Sequence, residues 1–191
     1  MFDGRGYTIV NGIYGSGGLF GYVYDTGVIK NVALLNVNVN SDARACVLAV
    51  SFWGALENVL MDVKSYTRVG GEESVLGMNT GDNVSFKNVV LYDETVYTGM
   101  NAGQSSFFNH ATSGGLMGTI DNVFVFTNHT AGNGNGKTHA EDWANAGVVT
   151  KAPTATLAEA GVDATKFDST IWNMTGDKAA FVKVYVAPEK T

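Results

Sequence analysis

Three histidines and a few grouped carboxylates are the side chains best suited by type to chemistry. His110 in "FNH", His129 in "TNH" and His139 in "THAEDW" lie in one third of the chain, with Glu141 and Asp142 beside the last. Imidazole nitrogens and carboxylate oxygens would hold a zinc-like ion if three or four converged at about 2.0–2.2 Å. The sequence has no H-E-x-x-H spacing, and the surrounding Gly/Asn-rich run does not preorganise ligands. These histidines therefore read as surface or loop-packing residues, and neither a metal nor another cofactor is expected. Paired carboxylates can divide acid and base roles, as in glycoside hydrolysis. The groups Arg68/Glu72/Glu73 and Asp93/Glu94 are the local candidates, but both fall in polar connections where solvated charges are ordinary. No Ser-His-Asp order is recognisable. No catalytic residue is assigned, and the expectation is a protein that is not an enzyme.

The other chemistry-bearing patterns are weaker. "GNGNG" at 132–136 and "GSGG" at 15–18 neither end in G-K-[ST] nor open a helix, so they read as turns rather than phosphate loops. Trp53, Tyr66, Tyr92, Tyr97, Phe107 and Phe108 fall near expected chain corners, where an exposed ring stacks on a sugar face. For any one of them, core filling is the plainer reading. The sequons at Asn83, Asn128 and Asn173 carry no assignment in so Asn-rich a chain. The single cysteine, Cys46, lies in the apolar run "CVLAV" and reads as a small buried hydrophobe.

What must position such residues is legible in the composition and in a repeat. The 191 residues are 45% hydrophobic and 16% charged, enough for one domain with a real core. Glycine is frequent (24) and proline scarce (2), which suits tight corners between uninterrupted strands. A formal charge of −6, with no cluster of Lys, Arg and aromatics, argues against nucleic acid as a partner. No apolar run reaches the ~18 residues of a membrane span, so membrane insertion is not expected. "MFDGRGYTIVNG" lacks the form of a signal peptide, and excision from a longer chain is one expectation that follows.

The repeat begins with "IKNVAL" at 29–34 and returns as "LENVLM" at 56–61, "FKNVVL" at 86–91 and "IDNVFV" at 120–125. The asparagines Asn31, Asn58, Asn88 and Asn122 are spaced by 27, 30 and 34 residues. In a flat strand Ile29 and Val32 would face opposite ways. Asparagine tolerates left-handed backbone, so a corner at Asn31 resets the alternation and turns both inward. This drifting period, rich in β-branched residues and free of helical spacing, predicts an all-β parallel solenoid. Its strands would stack at about 4.8 Å per rung into a rod roughly 20–25 Å long. The four asparagines are then structural, forming corners and a ladder of side-chain amides. The preceding residues, Lys30, Glu57, Lys87 and Asp121, alternate in sign, as an in-register stack requires.

The sequence divides into solenoid repeats at 1–127, a Gly/Asn-rich loop excursion at 128–150, and a C-terminal cap at 151–191. The cap should contain one short helix within 154–166, then final strands, and should cover an open coil end. The N-terminal edge has no comparable cover and suggests another chain or self-association there.

"FDGRGYTI", "GGLFGYV" and "GVIKNVALLNVNV", in that order, resemble the repeat array of GLUG-type bacterial surface proteins. "FDSTIWNM" resembles the segment that closes such arrays. The likeness covers about 1–127 and 165–181, with "SFWG" and "SVLGM" matching loosely. It implies a right-handed parallel β-helix of an extracellular, cell-surface or phage-virion protein. The function it implies is a structural or adhesive module that binds a glycan or protein. The alternatives are an architectural virion protein, such as a decoration or fibre subunit, and a tail-spike-like polysaccharide-degrading enzyme.

Overall fold

The computed structural model describes residues 1–15, 17–41, 45–68, 73–80, 84–94, 105–108, 118–127, 144 and 146–183, except the side chains of 41, 45, 66–68, 73–80 and 105–108. The chain is a parallel β-helix. One long sheet runs β1 (Phe2–Val10), β4 (Val28–Ser41), β7 (Ala55–Arg68), β9 (Ser85–Asp93), β11 (Thr119–Thr127) and β12 (Val148–Lys151), with β2 (Ile13–Tyr14) also on β4. A second sheet runs β10 (Ser105–Phe108), β8 (Glu73–Thr80), β6 (Ala49–Phe52) and β3 (Tyr22–Val23), with β5 (Ala45–Cys46) on β8. Every pairing in these two sheets is parallel. A separate antiparallel pair joins β13 (Trp172–Asn173) to β14 (Ala180–Phe181).

The repeat asparagines turn the chain as their spacing predicts. Asn31, Asn58 and Asn88 have φ of 53° and Asn122 has 59°, all left-handed. Their neighbours therefore both point inward: Ile29, Val32 and Leu34 are 2%, 1% and 0% exposed. Strand register stacks them into columns, Ile29 on Leu56 on Phe86 on Ile120, and Val32 on Val59 on Val89 on Val123. The charged row is in register too, and it gains a fifth member at the N-terminal side. Asp3 faces Lys30, then Glu57, Lys87 and Asp121 follow, with Lys30 Nζ 3.6 Å from the Asp3 carboxylate.

The side-chain amides form one continuous chain of hydrogen bonds. Asn122 Nδ2 donates to Asn88 Oδ1 (2.7 Å), Asn88 to Asn58 (3.1 Å) and Asn58 to Asn31 (2.9 Å). Asn31 Nδ2 then donates to Asp3 Oδ1 at 3.0 Å, so the ladder ends on a carboxylate. A second, shorter pair sits at the next bend, where Asn36 donates to Asn11, both with positive φ.

The C-terminal segment differs from the expected cap in three ways. The solenoid continues beyond 127, because β12 adds a parallel rung on β11 at 148–151. The helix expected within 154–166 is a single turn followed by a three-residue 3₁₀ helix, Ala164–Lys166. Thr156 and Glu159 cap that turn reciprocally, but Gly161 at φ 69° ends it, with Val162 N–H returning to Leu157 C=O. Most important, residues 152–183 lie along the flank of the long sheet rather than across its end. Leu157, Phe167, Trp172 and Phe181 bury the outer column Ala33–Leu60–Val90–Phe124. This strap reaches the first rung, where Thr8 Oγ1 donates to the Lys183 carbonyl at 2.8 Å.

The strap also seals the amide ladder. Asn58 and Asn88 are only 8% and 7% exposed, and Trp172 Nε1 approaches Asn58 Oδ1 at 3.4 Å. Replacing Asn58 by alanine puts a Cβ residue without an amide at left-handed φ, costing about 1 kcal/mol. It also strands the neighbouring amides, at about 1–3 kcal/mol. Asn58→Ala should thus lower unfolding free energy by about 2–4 kcal/mol in a denaturant titration, and Asn58→Gly by about 1 kcal/mol less. Equal losses would show that backbone strain plays no part. Trp172→Ala should cost about 3–5 kcal/mol. It should raise binding of a hydrophobic dye while β circular dichroism persists, and a simultaneous loss of both would mean that the strap and rungs fold as one unit.

Candidate binding surface

An exposed aromatic cluster stands out on the coil corner that follows β3 and β6. Alternation along "YVY" buries Val23 and turns both flanking rings outward, leaving Tyr22 and Tyr24 60% and 62% exposed. Trp53, one rung along, is 38% exposed. The Tyr22 and Tyr24 rings are nearly parallel, with centroids 6.4 Å apart and planes 14° apart. Trp53 meets Tyr24 edge-on at 5.7 Å. The three rings make one continuous outward surface across two rungs.

The backbone beneath them is tightly held. Trp53 N–H donates to Val23 C=O at 2.8 Å, and Ala55 N–H to Gly27 C=O at 2.8 Å. A Cβ at Gly54 would lie 2.2 Å from the Gly27 carbonyl oxygen, so only glycine lets the two rungs approach this closely. Rings on such a corner lose little backbone freedom when a ligand docks. Asp25 is the one charged residue within 21–27 and 53–54, which disfavours an anionic ligand.

The candidates named from sequence fall in different places. Trp53 is on this surface, whereas Tyr92 is 2% exposed, stacks on Phe126 at 4.8 Å and accepts a hydrogen bond from Ala179 N–H through its hydroxyl (2.7 Å). Burial pushes that hydroxyl up to about 12. The side chains of Arg68, Glu73, Tyr66, Phe107 and Phe108 lie outside the described residues, as do His110, His129, His139, Glu72, Glu141, Asp142 and Tyr97. Asp93 and Glu94 differ in their surroundings. Asp93 is 4% exposed, and Glu94 sits at the surface between Lys178 Nζ (2.5 Å) and Lys64 Nζ (3.2 Å). Those two hydrogen bonds, Lys178 first, hold the Glu94 carboxyl below its ordinary range. Glu94 thereby ties the strap to the β7–β9 face. Desolvation pushes the buried Cys46 thiol up to about 12, which makes it inert as a nucleophile.

A groove of about 440 Å³ in the strap is lined by Phe167, Trp172 and Phe181 among others. Those rings pack edge-to-face on one another at 5.0 and 4.6 Å and are 2–5% exposed, so their faces are already committed to the fold. Tyr22 and Tyr24 did not enter the sequence reading as site residues. Their signal was the i, i+2 spacing around a buried valine. No family model, curated protein or solved structure matches the chain.

The Glu94 bridge makes a prediction about acid. Its folded-state pKa is depressed, so its contribution is present above the ordinary value of 4.5 and lost as pH falls below it. Glu94→Gln should flatten the acid limb of the thermal midpoint against pH. It should not abolish that limb, because Asp3, Glu159, Asp163 and Asp168 are also held low, by hydrogen bonds from Arg5, Thr156, Thr165 and Thr170. An unchanged acid limb would remove Glu94 from the linkage.

Proposed function

We propose that the chain is a non-enzymatic β-helix module of a bacterial cell surface or phage virion, of the GLUG-like kind, that presents a fixed aromatic surface to a glycan. The observation that carries this reading is the contiguous, exposed Tyr22–Tyr24–Trp53 cluster on a corner whose backbone is tightly packed. Aromatic faces stack on the apolar face of a sugar ring, and phenol and indole edges supply hydrogen bonds to its hydroxyls. The ring-to-ring steps are of the order of one hexose unit. With Asp25 as the local charge, a neutral polysaccharide suits the surface better than a uronic acid polymer. A protein partner remains the alternative occupant.

Two rival functions differ in what they require. An enzyme of the tail-spike kind needs carboxylates facing one another across a substrate, whereas Glu94 is occupied by two lysines. An architectural virion subunit needs a surface for assembly, and the N-terminal end of the stack favours that reading. The test of glycan binding is an array of neutral and anionic polysaccharides, followed by titration of the hits. Tyr24→Ala and Trp53→Ala should each weaken binding to a neutral glycan by roughly tenfold while the thermal midpoint stays close to wild type. Absence of any glycan signal, or binding by both variants as tight as that of the unaltered chain, would sink the proposal.

A further inference from the structure

The electrostatics of the aromatic corner narrow what it can hold. An aromatic ring is negative on its faces and positive at its edge, so an exposed face attracts a cation. Tyr22 and Tyr24 are open to solvent on the flank of the coil, because Val23 between them points inward. The turn that follows is closed by Gly27 N–H donating to Tyr24 C=O at 2.6 Å, and Asp25 stands exposed in it. Among the described residues, none hydrogen-bonds to or ion-pairs with the Asp25 carboxylate. The exposed carboxylates of Asp3, Glu94, Asp163 and Asp168, by contrast, each accept from a neighbour. No Lys or Arg falls within 6–29 or 45–63, the stretches of the two rungs that carry the rings. Lys30, the next cation along the chain, is held by Asp3 at 3.6 Å.

We propose that the ligand of this corner is a polysaccharide with free amino groups, such as a glucosamine polymer, its ammonium groups held by Asp25 and the aromatic faces. The inference rests on the glycan reading above and narrows it to a cationic sugar. A hexosamine presents both chemistries at once. The C–H face of its ring stacks on tyrosine or tryptophan, while its ammonium leaves the ring edge toward an acidic neighbour or a second aromatic face. Trp53 lies one rung along and edge-on to Tyr24, so successive sugars meet aromatic surface on both rungs. The surface lies open across those rungs instead of closing into a cage, which suits an extended polymer better than a small free cation. The charge pattern that turns away a uronic acid draws an amine: a flank with acid and no base, on a chain of net charge −6.

Calorimetric titration of the whole chain with chitin and chitosan oligomers of equal length tests this, because the two differ only in acetylation of the amine. In mildly acidic buffer, where the sugar amines are protonated, the chitosan oligomer should bind roughly fivefold more tightly than the chitin oligomer. Asp25→Asn should bring the two affinities together without changing that for the chitin oligomer, and should keep the wild-type thermal midpoint. Asp177→Asn, which removes the same charge from an exposed site on the strap, should leave the preference intact. Equal affinity for the two oligomers, or a preference that survives Asp25→Asn, would overturn the inference and leave the glycan reading standing. So would an equal loss of preference in Asp177→Asn, or an oligolysine of matching charge that binds as well as the chitosan oligomer. Binding of neither oligomer would overturn it too, and a blank glycan array besides would take the glycan reading with it.

Discussion

The left-handed bend at the repeat asparagine is the constraint from which the rest of this structure follows. A strand that stayed flat would send Ile29 and Val32 to opposite faces and leave half of each repeat's apolar residues outside. One residue at φ near 53° moves both to the interior. Among non-glycine side chains, asparagine meets that requirement at low cost, and its amide both donates and accepts. Once every rung bends at the same point, the amides come into line and satisfy one another from Asn122 to Asn31, ending on Asp3. The acceptor at the end matters. A carboxylate takes the last donor more strongly than a neutral oxygen, and its charge favours the common orientation of all four amides.

The bend has a second consequence on the outside of the coil. Resetting the alternation places Ala33, Leu60, Val90 and Phe124 outward, yet all four are apolar. A sheet with two apolar faces needs cover on both. The interior provides one cover and residues 152–183 provide the other. The strap has little regular structure of its own, and short side-chain bonds hold its turns: Asp163 to Thr165, Asp168 to Thr170, Asn173 to Thr175. Its position is set by rings packed against the stack and by the Lys178–Glu94–Lys64 bridge. Core, ladder and strap are thus three readings of one backbone conformation.

This explains what the sequence made legible. The solenoid, its register and the corner role of the asparagines follow from a motif repeated four times, because each copy reports the same local geometry. The alternating charges before each asparagine gave the same register independently. The strap was misplaced as an end cap because it occurs once and has no period. The clue to its place lay elsewhere, in the unbroken apolar runs "NVALL", "NVVLY" and "NVFVF", which announce a sheet covered on both faces. The helix expected in 154–166 failed for a local reason, Gly161, which ends the turn it caps. The aromatic surface was half visible. Trp53 was marked by its place at a corner, while Tyr22 and Tyr24 needed the burial of Val23 to fix their side.

The changing repeat length shows where such a scaffold accepts extra residues. From β7 to β9 every paired residue keeps one offset, and from β9 to β11 every pair keeps another, larger one. The extra residues therefore fall outside the bending strands. Had they fallen within them, the asparagines would have slipped out of line and left buried amides without partners. Connections between strands meet no such condition and can vary in length and sequence. Tyr22 at the start of β3, Tyr24 just after it and Trp53 just after β6 lie outside the ladder-bearing strands on two successive rungs. A surface of that kind can be altered ring by ring while the rungs beneath keep their register, because none of its rings belongs to the ladder or to the buried columns.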